Sequence, residues 1–297
     1  MNWLEIAVPA SHEASEAAYA VMSRYAPGRV AIEEPVIQPA DGDGAEIDFS
    51  QPVTLRAYVP IDGAEASTRQ AMEEALYLLS RIDIEGVGEV SARELAEEDW
   101  ANAWKEHYHT RKVGRRLVIK PSWLDYDEGP EEVVVELDPG MAFGTGLHPT
   151  TDTCLQLLED LVHGGEEVLD LGAGSGILSL AAMGLGAKSV LALDIETIAV
   201  DTCRANCAHV PAISVGEGSL PLAEPRTFDL VLANIIARVL VELASELRAG
   251  LRPGARLLAS GIIDEREDEV LAAFANAGLA IERRVQSGDW VTLVCTS

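Results

Sequence analysis

Hydrophobic and polar positions follow two rhythms along this 297-residue chain. As far as residue 92, runs that alternate apolar with polar predict strands, and runs with apolar side chains three and four apart predict helices. The strands are 2–8, 29–38, 52–61 and 86–94, and the helices are 12–25 and 65–82, where Ala71, Leu76, Leu79 and Ile82 share one face. This β-α-β-β-α-β order predicts a small ferredoxin-like α+β domain over 1–92. Between its middle strands, 39–52 is acidic, rich in turn residues and too poor in apolar side chains to pack.

From residue 131 strands and helices simply alternate. Strands are predicted at 168–171, 189–194, 212–218, 228–235 and 255–263, and helices at 176–186, 197–209 and 237–250, the last closed by Gly250 with Pro253 beyond it. This alternation is the signature of a parallel sheet with helices on both faces. Two further strands, 279–286 and 290–296, lie too close together for anything but an antiparallel hairpin. The expected fold class is α/β. A doubly wound, mostly parallel, seven-stranded sheet spans 131–297, the smaller ferredoxin-like domain precedes it, and 93–130 forms a connector helix and strand.

A composition of 48% apolar and 24% charged residues is that of a globular chain. The departure from average is 22 Lys and Arg against 49 Asp and Glu, a net charge of −27. Such a charge repels phosphate backbones and anionic lipid, so a basic partner is expected rather than direct nucleic-acid or membrane binding. Residues 1–98 carry six basic and 19 acidic side chains, net −13, whereas 99–130 hold six and five. Within that middle stretch, Arg111, Lys112, Arg115 and Arg116 either grip an anion or pair with local carboxylates. The first residues lack the basic stretch and apolar run of a signal peptide. No apolar run approaches the roughly 20 residues of a membrane helix, so a cytoplasmic protein is expected. Cys154, Cys203, Cys207 and Cys295 form no C-x-x-C pair and no metal spacing with histidine. Cys203 and Cys207, four apart on a predicted helix, are expected to share a buried face. His107 and His109, two apart on another, point in different directions, and no metal site is expected.

The strand at 168–171 runs through Asp170-Leu171-Gly172-Ala173-Gly174-Ser175-Gly176 into a helix. Glycines there let the backbone approach a ligand closely at a helix amino end. Their G-x-G-x-G spacing differs from the dinucleotide fingerprint G-x-G-x-x-G. The next strand ends in Asp194, where a carboxylate can accept hydrogen bonds from both hydroxyls of a ribose. Loop and carboxylate together point to an adenosine-containing ligand at the carboxyl edge of the sheet.

With these residues the chain resembles the class I S-adenosylmethionine-dependent methyltransferases, whose first-strand motif is D/E-x-G-x-G-x-G. Residues 137–151, LDPGMAFGTGLHPTT, resemble the cofactor-covering loop of the bacterial ribosomal protein L11 methyltransferases. Ala233-Asn234-Ile235-Ile236 resembles their fourth-strand motif, and 99–123 is similar to their interdomain connector. Leu147, Ala173 and Ile236 stand where that family usually has threonine, cysteine and leucine. The resemblance implies that Thr151, Gly172, Gly174, Gly176, Asp194 and Asn234 hold S-adenosylmethionine. It implies that Phe143, Gly144, Thr145 and Gly146 fold over it, and that Asn234 and Ile235 orient the substrate amine. It also implies that the amino-terminal domain recognises basic ribosomal protein L11, whose amino groups, α-amine or lysine, receive the methyl group.

Deprotonation is the chemical difficulty in such a transfer, because a lysine of pKa about 10.4 gives up its proton at a cost near 4.6 kcal/mol at pH 7, against roughly 1 kcal/mol for an α-amine. The Asn234 side chain and nearby backbone carbonyls can accept hydrogen bonds from the neutral amine and aim its lone pair. No catalytic base is assigned. His148, before Pro149 at a helix start, is as well placed to anchor the loop as to move a proton. A methyltransferase for another protein or a small amine, and a module that binds the cofactor without turnover, remain open as alternatives.

Overall fold

A computed structural model of the chain describes residues 2–26, 29–33, 35–37, 46–47, 51–79, 86–96, 110–138, 148–222 and 227–297. The chain divides into two compact units, Met1–His109 and Thr110–Ser297. The smaller contains β1 (Trp3–Ala10), α1 (His12–Tyr25), β2 (Val30–Glu33), β3 (Val36–Ile37), β4 (Glu46–Ile47), β5 (Val53–Pro60), α2 (Glu65–Leu79) and β6 (Ser91–Leu95). Its four-stranded antiparallel sheet has the order β2-β5-β1-β6. Ser11 caps α1, its hydroxyl oxygen accepting the Ala14 N–H at 3.2 Å. Alternate residues of β1 and β5, among them Ile6, Val8, Leu55 and Ala57, share a fully buried core with Met22 of α1 and Met72 and Leu76 of α2. Met72 takes the core position expected of Ala71, which is half-buried, and Ile82 lies outside the described residues.

The larger unit contains β7 (Arg111–Val113), β8 (Leu117–Lys120), β9 (Val133–Glu136), α3 (Pro149–Leu161), β10 (Glu167–Leu171), α4 (Ile177–Gly184), β11 (Ser189–Asp194) and α5 (Thr197–Cys207). It continues with β12 (Ile213–Glu217), β13 (Phe228–Asn234), α6 (Ala237–Glu242), α7 (Ala244–Ala249), β14 (Leu251–Ile263), α8 (Glu267–Ala277), β15 (Ala280–Ser287) and β16 (Trp290–Thr296). The main sheet has the order β12-β11-β10-β13-β14-β16-β15. Its strands are parallel from β12 to β14, and β16 and β15 add antiparallel. One face packs on α3, α4 and α5, the other on α6, α7 and α8. Along β13, Leu230 and Leu232 enter the first core while Phe228, Val231 and Ala233 enter the second, which is why 230–233 reads as an unbroken apolar run. Strand order reverses between β10 and β13, opening a crevice at their carboxyl ends.

Three expectations change. The 93–130 segment is not one connector, because β6 pairs with β1 in the smaller unit while β7, β8 and β9 form a three-stranded sheet of the larger one. The single helix expected over 237–250 is two, since Leu243 leaves helical geometry with ψ at 8°. Strand β14 begins at Leu251 and includes Pro253, at a shift in the ladder with β13 that accommodates a residue with no N–H to donate.

The basic cluster is paired internally. Arg111 meets Asp152 at 2.6 Å, Lys112 meets Glu132 at 3.0 Å, and Arg115 meets both Glu159 and Asp160 at 3.1 and 2.6 Å. Glu159 of α3, its side chain 2% exposed, also accepts the backbone N–H groups of Arg115, Arg116 and Leu117 at 2.7–3.0 Å, anchoring α3 to the β7–β8 turn. Burial raises the carboxyl pKa, but the three N–H groups and the guanidinium outweigh it and hold it below the usual range. Its stabilising contribution is therefore complete above the ordinary carboxylate pKa and is lost as pH falls through the depressed value. Glu159→Gln is expected to lower unfolding free energy by about 2–3 kcal/mol at pH 7, with a smaller difference at pH 3, read by urea denaturation. An equal difference at both pH values would reject the ionic anchor.

Candidate active site

Three strand ends build the crevice. Chain leaving β10 turns through Gly172, Gly174 and Gly176 with φ of 73°, 54° and 87°, a left-handed path that favours glycine, before α4 begins. β11 ends at Asp194, whose Oδ2 accepts the Gly174 N–H at 2.9 Å and whose Oδ1 accepts the Glu196 N–H at 3.0 Å. This half-exposed carboxylate thus fixes the glycine loop while each oxygen keeps a lone pair for another donor. The glycines answer first to protein neighbours. A Cβ on Gly172 would lie 2.4 Å from Ile235 Cγ2, and one on Gly176 would lie 2.9 Å from the sulfurs of both Cys203 and Cys207. Those two buried sulfurs, 3.9 Å apart, occupy the shared face expected of them.

β13 ends at Asn234, whose Nδ2 donates to Thr151 Oγ1 at 3.3 Å, joining two residues 83 positions apart. Thr151 is 1% exposed in the first turn of α3. His148 caps that helix: its Nδ1 accepts the Thr150 N–H and lies 2.7 Å from the Thr150 hydroxyl, while its ring stands edge-on to Trp290 at 4.9 Å. These contacts assign the ring proton to Nε2 and make His148 an anchor of the helix start. With its NH₂ directed at Thr151, Asn234 leaves Oδ1 with no donor among the described residues. The Ile235 carbonyl likewise receives no N–H among them, while the Ile235 N–H is held by the Ser260 carbonyl at 3.1 Å. Among the described residues, two consecutive positions at the end of the central strand thus each have an acceptor that receives no N–H.

Behind the glycine loop, Asp170 is 1% exposed and accepts the Ser179 hydroxyl at 2.6 Å. Burial pushes its carboxyl up to about 6, with the Ser179 bond opposing and the charge of Asp194 adding. Because the folded chain holds this proton more tightly than the unfolded chain, stability is lost as pH rises from about 4 through 6. Asp170→Asn removes that dependence, so its stability relative to wild type should improve by about 2 kcal/mol between pH 4.5 and pH 7.5 in denaturant titrations. A pH-independent difference would mean that Asp170 titrates normally.

Asn206 escaped the sequence reading. Its amide donates to the Ser175 carbonyl at 2.8 Å and to the Asp138 carbonyl at 3.1 Å, tying the glycine loop to the chain before residue 139. No local signal marks it, because its partners lie 31 and 68 residues away. Phe143, Gly144, Thr145 and Gly146 lie outside the described residues, as do His107 and His109.

The family model for ribosomal protein L11 methyltransferase (PrmA) matches residues 2–297. The chain belongs to that family. Among proteins named ribosomal protein L11 methyltransferase, that of Chloroflexus aurantiacus is 47% identical over 322 residues, covering 99% of this chain and 97% of its own. The Herpetosiphon aurantiacus protein is 44% identical, covering 98% of each chain. The crystal structure of the ribosomal protein L11 methylase from Lactobacillus delbrueckii subsp. bulgaricus superposes with a TM-score of 0.57 at 32% identity, covering 63% of this chain and 97% of that one. Membership in the ribosomal protein L11 methyltransferase family thus extends through both units. The glycine loop, Asp194 and the Thr151–Asn234 pair form one crevice in this member.

Proposed function

We propose that this chain transfers methyl groups from S-adenosylmethionine to amino groups, lysine or α-amine, of ribosomal protein L11. The observation that carries the reading is a pair of acceptors, Asn234 Oδ1 and the Ile235 carbonyl, that receive no N–H among the described residues at the crevice end of β13. A neutral amine has N–H groups to give such acceptors and a lone pair left over. A protonated amine has no lone pair to offer. When bound, S-adenosylmethionine supplies an electrophilic methyl group on a sulfonium. The residues present suit it: Asp194 has lone pairs for ribose hydroxyls, Ile195 directly after it is 72% exposed and offers an apolar surface to a purine, and Asp170 braces the start of α4 behind the glycine loop through Ser179. Among the described residues no His, Cys, Asp and Glu group could hold a metal ion.

The smaller unit is read as a ferredoxin-like recognition domain, supported by its β2-β5-β1-β6 order. The net −13 of residues 1–98 suits electrostatic recruitment of a basic protein. Cytoplasmic residence fits such a substrate, and no helix among the described residues is long and apolar enough to cross a membrane. Incubation with methyl-labelled S-adenosylmethionine and purified ribosomal proteins tests the reading. Label in L11 with matching release of S-adenosylhomocysteine is expected. Label in another protein or a small amine would transfer the activity to that substrate, and binding without release would leave a non-catalytic module.

A further inference from the structure

Ile235 is seated between two glycines that come from different parts of the sheet. Its Cγ2 occupies the place of a Cβ at Gly172, and its backbone abuts Gly261 of β14, where a Cβ would lie 2.5 Å from the Ile235 oxygen, 2.8 Å from its carbon and 3.2 Å from its nitrogen. Gly261 has φ of 80° and falls within a register shift of the β14–β16 ladder between Ala259 and Ile262, an irregularity of the kind that re-aims backbone groups beside active sites. The residue before it, Ser260, is fully buried. Its carbonyl holds the Ile235 N–H at 3.1 Å, and its hydroxyl is locked to Thr292 at 2.7 Å. The peptide is thus fixed through its N–H, while the side of its oxygen facing β14 is kept clear by a missing side chain.

We infer that Gly261 is a positioning residue for methyl transfer: by carrying no side chain it leaves the Ile235 carbonyl placed and open to accept an N–H of the substrate amine, a role that rests on the function proposed above. Any side chain at Gly261 forces the Ile235 peptide to move by several tenths of an ångström or more, because contacts of 2.5 Å to oxygen and 2.8 Å to carbon cannot persist. Displacements approaching 1 Å at an orienting group cost on the order of 10²-fold in rate.

Gly254 provides the matched control. It lies on the same strand with φ of 76°, but a Cβ there would meet nothing within 4 Å. Gly254→Ala therefore carries the same left-handed strain as Gly261→Ala without touching the site. In single-turnover assays with S-adenosylmethionine and purified ribosomal protein L11, Gly254→Ala is expected within about threefold of wild type, and Gly261→Ala about 10²-fold slower. By calorimetry the cofactor Kd of both should stay within about fivefold of wild type. A Gly261→Ala rate matching that of Gly254→Ala, or a parallel loss of rate and cofactor affinity, overturns the inference. A wild-type enzyme that does not methylate L11 overturns the proposed function instead.

A second measurement needs no variant at position 261. Ile235-Ile236 and Ile262-Ile263 are the two Ile-Ile pairs of the chain, so labelling isoleucine with carbonyl ¹³C and amide ¹⁵N isolates two carbonyl signals, told apart with Ile263→Val. Adding S-adenosylhomocysteine and saturating L11 should shift the Ile235 carbonyl as it gains a hydrogen bond. An unmoved signal overturns the inference even if Gly261→Ala fails to fold.

Discussion

Asn234→Ala is expected to slow single-turnover methyl transfer by about 10²-fold while changing cofactor affinity far less. The side chain holds one end of its amide against Thr151 at 3.3 Å, and among the described residues its other end, like the carbonyl of the following Ile235, receives no N–H. Truncation removes the acceptor proposed to aim the amine and leaves the glycine loop and its bond to Asp194 intact. Thr151→Val separates the two functions of the amide, since it removes the oxygen that sets the orientation but leaves the Asn234 acceptor in place. A loss intermediate between wild type and Asn234→Ala is expected for it. The deciding data are cofactor Kd and single-turnover rate on the same purified protein. If both fall together, Asn234 holds the cofactor, and if neither moves it only shapes the strand end.

Asp194→Ala should weaken S-adenosylmethionine binding by about 3 kcal/mol, on the order of 100-fold, which is the upper range for a hydrogen bond to a charged group. Two losses combine. The ribose hydroxyls lose the acceptor proposed for them, and the Gly174 and Glu196 N–H groups, held at 2.9 and 3.0 Å, lose theirs. Asp194→Asn does not restore affinity, because an amide has one acceptor oxygen where two N–H groups need one each. Calorimetric titration reads the outcome, and unchanged affinity in a folded Asp194→Ala protein would remove Asp194 from the cofactor site.

Much of the molecule was legible in the chain because its signals are local. Short, mostly apolar runs that alternate with helical periodicity mark parallel strands buried on both faces, so β10, β11 and β13 and the helices between them could be read along the chain. The glycine loop, Asp194 and Asn234 each sit at a strand end that could be counted along the sequence. What each residue touches could not be counted. Gly172 and Gly176 read as glycines bared for a ligand, yet their missing Cβ atoms make room for Ile235 and for the sulfurs of Cys203 and Cys207. The four basic residues after 110 left two readings open until Asp152, Glu132, Glu159 and Asp160 were brought beside three of them. His148 became an anchor only when the Thr150 and Trp290 contacts were formed. Thr151 met Asn234 across 83 residues, and Gly261 met Ile235 across the β13–β14 edge. Backbone periodicity and turn chemistry are properties of neighbouring residues and so are written along the chain. Hydrogen-bond partners and steric limits are set by distances between strands that the sheet brings together, and those distances exist only in the folded protein.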